Sequence, residues 1–202
     1  AVTYAFQHVH FPSVVDTTIS TNVVNLAYGR RISGRMDIVI AAGPKITQIQ
    51  SAVFGDSTQI SASGSFKLHY RFTRASMHLE YKSYNTNGSG YFLGSNVNVG
   101  TLTLERPLGR IWEGSTDVGI ANNQRLVPAS QVVSASSDRY WFAGAAAHRH
   151  IGRRYRVFIS YQYNRFSFNR AVCSSAGDCG KTSDRQMGLV GVEWYPRPIR
   201  LD

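Results

Sequence analysis

Four times along this chain, a run in which apolar and polar residues alternate ends in a short arginine-bearing segment and resumes beyond it: Arg30–Arg35, Arg71–Arg74, Arg106–Arg110 and Arg149–Arg154. A period of two belongs to extended strands with one apolar face, and a tight link between two such strands makes an antiparallel hairpin. The other connections are longer and polar, so short and long links take turns. The pattern predicts an all-β fold, an antiparallel up-and-down β-barrel with two unlike rims.

The central hairpin, Ser63 to Tyr84, carries the argument best. Phe66, Leu68, Tyr70 and Phe72 alternate with Ser65, Lys67, His69 and Arg71; Met77, Leu79 and Tyr81 alternate with Ser76, His78, Glu80 and Lys82. A turn at Thr73-Arg74 sets Tyr70 opposite Met77, Leu68 opposite Leu79, Phe66 opposite Tyr81, His69 opposite His78 and Lys67 opposite Glu80. Both faces match at once, and a one-residue slip would ruin both. From Arg139 to Phe168, a turn at Ile151-Gly152 predicts Phe142 opposite Tyr161 and Tyr140 opposite Tyr163. Another hairpin couples Val24, Leu26 and Tyr28 to Met36, Ile38 and Ile40 around Ile32-Ser33-Gly34; the one around Pro107-Leu108-Gly109 fixes no register. The recurring apolar-Gly-Arg turn is a weak internal repeat. An opening strand near Val2–His10 and a closing strand near Gln186–Tyr195 bring the total to about ten, an even number that leaves both chain ends on the tight-turn rim. The long loops are expected near Phe11–Asp16, Pro44–Thr58, Tyr84–Gly90, Asn122–Ser137 and Asn169–Ser183. One domain over residues 1–202 is expected, either a barrel or one arc of a larger barrel.

Composition agrees. Apolar residues make up 43% of the 202, yet no run approaches the ~20 residues of a membrane-spanning helix, so any membrane passage falls to strands. The 18 glycines, 11 tyrosines and 10 phenylalanines against 3 methionines favour pleated strands and turns. Ala1-Val2-Thr3-Tyr4 opens directly into an alternating stretch, which suits a mature chain after leader removal and equally a cytosolic one. The two cysteines, Cys173 and Cys179, bracket Ser-Ser-Ala-Gly-Asp in a polar loop; the expectation is a small disulfide ring of an oxidising compartment, the alternative two reduced surface thiols.

Three details turn the apolar face toward lipid rather than a dry core. The strands exceed the usual length of soluble sheets. Full charges, Lys67, Glu80, Lys82, Asp37, Glu113, Asp117 and Arg156, stand in mid-strand on the other face. Aromatics close the apolar stripes, Tyr28, Tyr155 and Tyr195 near the tight turns and Tyr84, Tyr140 and Tyr163 at the other end, as interface girdles do. The closing strand Gly188-Leu189-Val190-Gly191-Val192-Glu193-Trp194-Tyr195 resembles the last strand of Gram-negative outer-membrane β-barrels, and the tail Pro196-Arg197-Pro198-Ile199-Arg200-Leu201-Asp202 is similar to that of uncharacterised porin-like barrel proteins. That resemblance implies an outer-membrane location and membrane lipids as surroundings. Ten strands leave a lumen that long side chains largely fill, so a small or plugged pore, or a structural surface protein, is expected.

Net charge is +10, gathered at the tight turns. Arg31, Arg35, Arg74, Arg110, Arg153 and Arg154 are expected to form one basic periplasmic rim, joined by Arg30, Arg71, Arg106, Arg149 and Arg156, facing headgroups or an acidic periplasmic or outer-membrane partner. Lys67, His69, Arg71, His78, Glu80 and Lys82 are expected to form a polar network in the lumen. The competing reading of His69, His78 and Glu80, with Ser76, is a barrel hydrolase built on a nucleophile, base and acid. His8 and His10 point the same way from one strand, but a metal site needs more ligands than two, and no metal or cofactor is expected. A soluble nucleic-acid-binding barrel would mix aromatics with Lys and Arg on one strand face; in the central hairpin they separate.

Overall fold

The computed structural model describes residues 1–11, 16–52, 55–88, 93–126, 137–152, 154–173 and 179–194, with backbone alone at 87–88, 93, 170–173 and 179. Ten strands follow one another: β1 (Val2–Phe11), β2 (Thr17–Ser33), β3 (Met36–Ser51), β4 (Ser57–Arg71), β5 (Ser76–Gly88), β6 (Leu93–Leu108), β7 (Trp112–Arg125), β8 (Ser137–Ile151), β9 (Tyr155–Cys173) and β10 (Cys179–Trp194). Each pairs antiparallel with its neighbours in sequence, in the order β1 to β10. Among the described residues β1 pairs with β2 alone and β10 with β9 alone, so the sheet has two free edges.

The central hairpin has the register its two complementary faces demand: Tyr70 faces Met77, Leu68 faces Leu79, Phe66 faces Tyr81, His69 faces His78 and Lys67 faces Glu80. The strands run further than alternation suggested. β3 continues to Ser51 and β10 starts at Cys179, so much of the expected loops is strand, and the far connections shrink to 12–16, 52–56, 89–92, 126–136 and 174–178. Polar residues on both faces hid these extensions. At the β2–β3 turn the register slips by one between Arg31 and Ser33, a bulge at Ile32, and Tyr28 faces Ile40.

The β8–β9 register differs from expectation: Phe142 faces Asn164, Tyr140 faces Phe166, and Tyr161 and Tyr163 face Ala145 and Ala143. Ile151 stays paired, with Tyr155, and the link 152–154 begins at Gly152 with φ of 65°, a left-handed conformation that glycine adopts without strain. A shift of three residues is odd, so β8 turns Trp141, Ala143, Ala145 and Ala147 to the apolar face and Tyr140 and Phe142 away from it. Tyr84, also expected in the girdle, shares that polar side with Tyr140. Glycines make room for the rings there: a Cβ on Gly119 would collide with the Phe142 ring, and one on Gly191 would lie 2.6 Å from Phe158. Phe142 faces Gly119 and Phe158 faces Gly191 across the ladder, aromatics covering cross-strand glycines.

One face, here the inner, carries Lys45, Thr47 and Ile49, each about 1% exposed. The outer face is apolar across all ten strands, with Tyr4, Leu26, Ile40, Tyr81, Ile120, Ile159 and Val190 among its exposed side chains. All three tryptophans lie on it. Trp112 and Trp194 stand at the tight-turn end of the apolar band and Trp141 at its far end, beyond which Ser83, Asn98, Asn122 and Arg139 form a polar row of cross-strand partners.

The far end is built differently. β4 and β5 pair only as far as Gly64 and Ser83. Beyond that, β5 and β6 lie over the inner face of β2 and β3: Asn85 Nδ2 donates to Thr47 Oγ1 at 2.7 Å and Thr21 Oγ1 at 3.2 Å, and Lys45 Nζ donates to Asn96 Oδ1 at 2.8 Å. Leu126, at the end of β7, packs with Ile19 and Ile49, and Phe11 flanks them. By alternation Asn85 and Asn96 belong to the outer side of their strands, so the sheet overlaps itself. This small cluster is the apolar core. Accessible surface totals 13599 Å², where a water-soluble monomer of 22.4 kDa exposes about 9,400 Å².

Candidate functional site

The tight-turn half of the inner face gathers the titratable side chains. Alternation puts Lys67, His69 and Arg71 of β4 and Ser76, His78, Glu80 and Lys82 of β5 on it together. Glu80 Oε1 lies 3.2 Å from Lys67 Nζ and 3.0 Å from Lys82 Nζ, one carboxylate between two ammonium groups. Paired opposite each other, His69 and His78 stack with ring centroids 4.2 Å apart and planes within 8°. Each has a carboxylate from the next strand outward: Asp37 Oδ2 lies 3.8 Å from His69 Nδ1, and Glu105 Oε2 3.8 Å from His78 Nε2. Asp37 also meets Arg31, Nε to Oδ1 at 3.8 Å. A row from Arg31 and Asp37 through the two stacked imidazoles to Glu105 thus crosses β2 to β6.

This geometry decides what the row can do. Ser76 Oγ donates to Glu105 Oε2 at 3.1 Å, so its hydroxyl is turned to a carboxylate and not to an imidazole. Glu80 is held by lysines and does not meet His78. A relay from nucleophile to base to acid is therefore not assembled from Ser76, His78 and Glu80. Glu105 was missed by the sequence reading because the β5–β6 link lies in a polar stretch that gives no register.

A second cluster lies on β7 and β8. Glu113 faces His148 across the ladder, and His148 Nε2 is 2.6 Å from Glu113 Oε2. His150, two residues on, points to the same side, its ring edge-on to His148 with centroids 6.0 Å apart. One ligating atom from each of the three falls within 4.8 Å of the others. Next in the ladder, Arg156 faces His150 and is neutralised by Glu193, Nε to Oε2 at 2.8 Å and Nη2 to Oε1 at 3.2 Å. A cavity of about 670 Å³ opens beside both clusters, with Arg71, Arg74, Glu105, Glu113, His148 and Arg156 in its wall. His148-x-His150 has the same spacing as His8-x-His10, so spacing alone did not single it out; the register brings the acid.

His8 and His10 lie at the far end of the outer face, where His8 Nδ1 meets Ser20 Oγ at 2.9 Å and His10 Nδ1 meets Thr18 Oγ1 at 3.1 Å. Asp16 is 3.7 Å from His10. Of the rim arginines, Arg35, Arg74, Arg110 and Arg154 stand exposed in the tight links, and Arg149 lies over the Trp112 ring at 5.9 Å. Arg31 instead folds back on its own turn, Nε donating to Ser33 O at 3.3 Å and Nη2 to Gly34 O at 3.2 Å. Arg153, Tyr195, Arg197 and Arg200 lie outside the described residues, as do the side chains of Cys173 and Cys179, whose backbones are cross-strand partners. The chain matches no protein-family model, no curated protein and no solved structure.

Proposed function

We propose that this chain is a β-barrel of the Gram-negative outer membrane, acting as a small or plugged pore or as a structural, surface-exposed element. The observation that carries this reading is the apolar outer face, continuous over ten strands and bordered by all three tryptophans, back to back with a face of paired charges. In water such a face is costly, and in lipid it is the solvated side. Trp112 to Ile120 on β7 and Tyr155 to Tyr163 on β9 each cover about 26 Å along the strand at ~3.3 Å per residue. Tilted by about 40°, that gives roughly 20 Å, near the apolar height of outer-membrane barrels. The tight turns with their arginines then face the periplasm, against lipid phosphates or an acidic partner, and the far end stands outside. In the membrane β1 and β10 close on one another, because lipid leaves no strand edge unpaired. Lys67, Glu80, Lys82 and the stacked histidines line the lumen, where mutual pairing lets long side chains fill a narrow bore. In the far loop, Cys173 and Cys179 form a cystine; their opposite backbone positions suit the Cα separation a disulfide needs.

Expression with a leader in a Gram-negative host tests this. The protein fractionates with outer membranes, migrates on gels in a heat-modifiable way, and in proteoliposomes passes no large solutes. A chain that stays monodisperse in buffer without detergent overturns the reading.

A further inference from the structure

We propose that Glu113, His148 and His150 form a binding site for a divalent transition-metal ion of the zinc class, with an open coordination position toward the cavity at the tight-turn end. Two imidazoles and one carboxylate are a donor set that such ions prefer to hard all-oxygen sites. Strand geometry presents them together. Residues two apart on β8 project to one side, and the ladder sets Glu113 directly opposite His148. Their ligating atoms lie within 4.8 Å of one another, and rotamer shifts of about 1 Å bring them to the ~3.4 Å that tetrahedral ligands at ~2.1 Å from an ion require. His148 and Glu113, now 2.6 Å apart, move slightly apart in the same adjustment. The guanidinium opposite His150 in the ladder, Arg156, is neutralised by Glu193. With three protein ligands and cavity beyond, the site has the open form of exchangeable or reactive zinc centres, not the closed form of structural ones.

The test uses the refolded full chain in detergent, freed of metal by chelator and titrated with zinc against a chromophoric chelator. One equivalent binds to the parent. His148→Ala, His150→Ala and Glu113→Gln each weaken binding by at least about tenfold, since loss of even an outer-shell partner costs 10–100-fold. The double variant His8→Ala/His10→Ala binds like the parent. Unchanged affinity in His148→Ala and His150→Ala, with heat-modifiable migration retained, overturns the site. Should those variants misfold, X-ray absorption at the zinc edge of the loaded parent decides: two imidazoles in the ligand shell support the site, and none overturns it.

Discussion

Lys45 illustrates how a single side chain can anchor the far end. It is 1% exposed, and its ammonium donates to Asn96 Oδ1 at 2.8 Å. Removing the acceptor leaves a buried ammonium unpaired, and an unpaired buried charge costs more than the neutral amide oxygen left when the ammonium is removed. Asn96→Ala is therefore expected to lower stability by about 1–3 kcal/mol, and Lys45→Met, which orphans only a neutral amide oxygen, by less. Denaturant unfolding in detergent measures both, and a larger loss from Lys45→Met than from Asn96→Ala refutes the account. None of this was legible in the sequence, where Lys45 follows Pro44 in what reads as a loop. Its partner lies 51 residues away and comes near only when the sheet overlaps itself. The Lys67–Glu80 and His69–His78 pairs, by contrast, could be read directly, since two complementary faces admit one register.

At the scale of elements, the β8–β9 hairpin separates what periodicity can and cannot give. Alternation identified both strands, but three residues of offset decide which side of β8 is apolar, and those depend on Gly152 adopting φ of 65°. Tyr140 and Phe142 looked like natural partners for Tyr163 and Tyr161. Instead, their rings use the space over Gly119 and beside Phe166, with the Tyr140 and Phe166 centroids 5.2 Å apart. Single cysteines check the register. In lipid vesicles Ala145→Cys, on the outer face, is shielded from a water-soluble maleimide, while Ala146→Cys, on the inner face, reacts. The two-residue turn predicts the reverse. The His148, His150 and Glu113 cluster escaped the sequence reading because it needed the β7–β8 register, which the eleven-residue link 126–136 is too long to supply.

For the whole molecule, an accessible surface of 13599 Å², above the roughly 9,400 Å² of a compact protein of this mass, follows from a single ten-stranded sheet with two free edges. Strand number and sequential order could be read from alternation and turns, because both are local; the overlap of the far end could not. Charge is distributed with a bias too: Arg35, Arg74, Arg110 and Arg154 stand at the tight-turn links. Replacing all four with glutamine is expected to weaken binding to anionic vesicles by about 1 kcal/mol per residue at low salt and to leave neutral vesicles unaffected, as flotation at two ionic strengths would measure. Equal loss on both lipids means the arginines only keep the turns soluble.

The strictly sequential pairing also sets the order of assembly. Each hairpin closes over a short link and can zip without waiting for distant chain, a topology that favours rapid local folding. The contacts of the overlapped end join residues 38 to 67 apart, so they form only after the hairpins between them are in place. Under denaturant that end is the first region to exchange its amide hydrogens, while the ladder beneath it still holds.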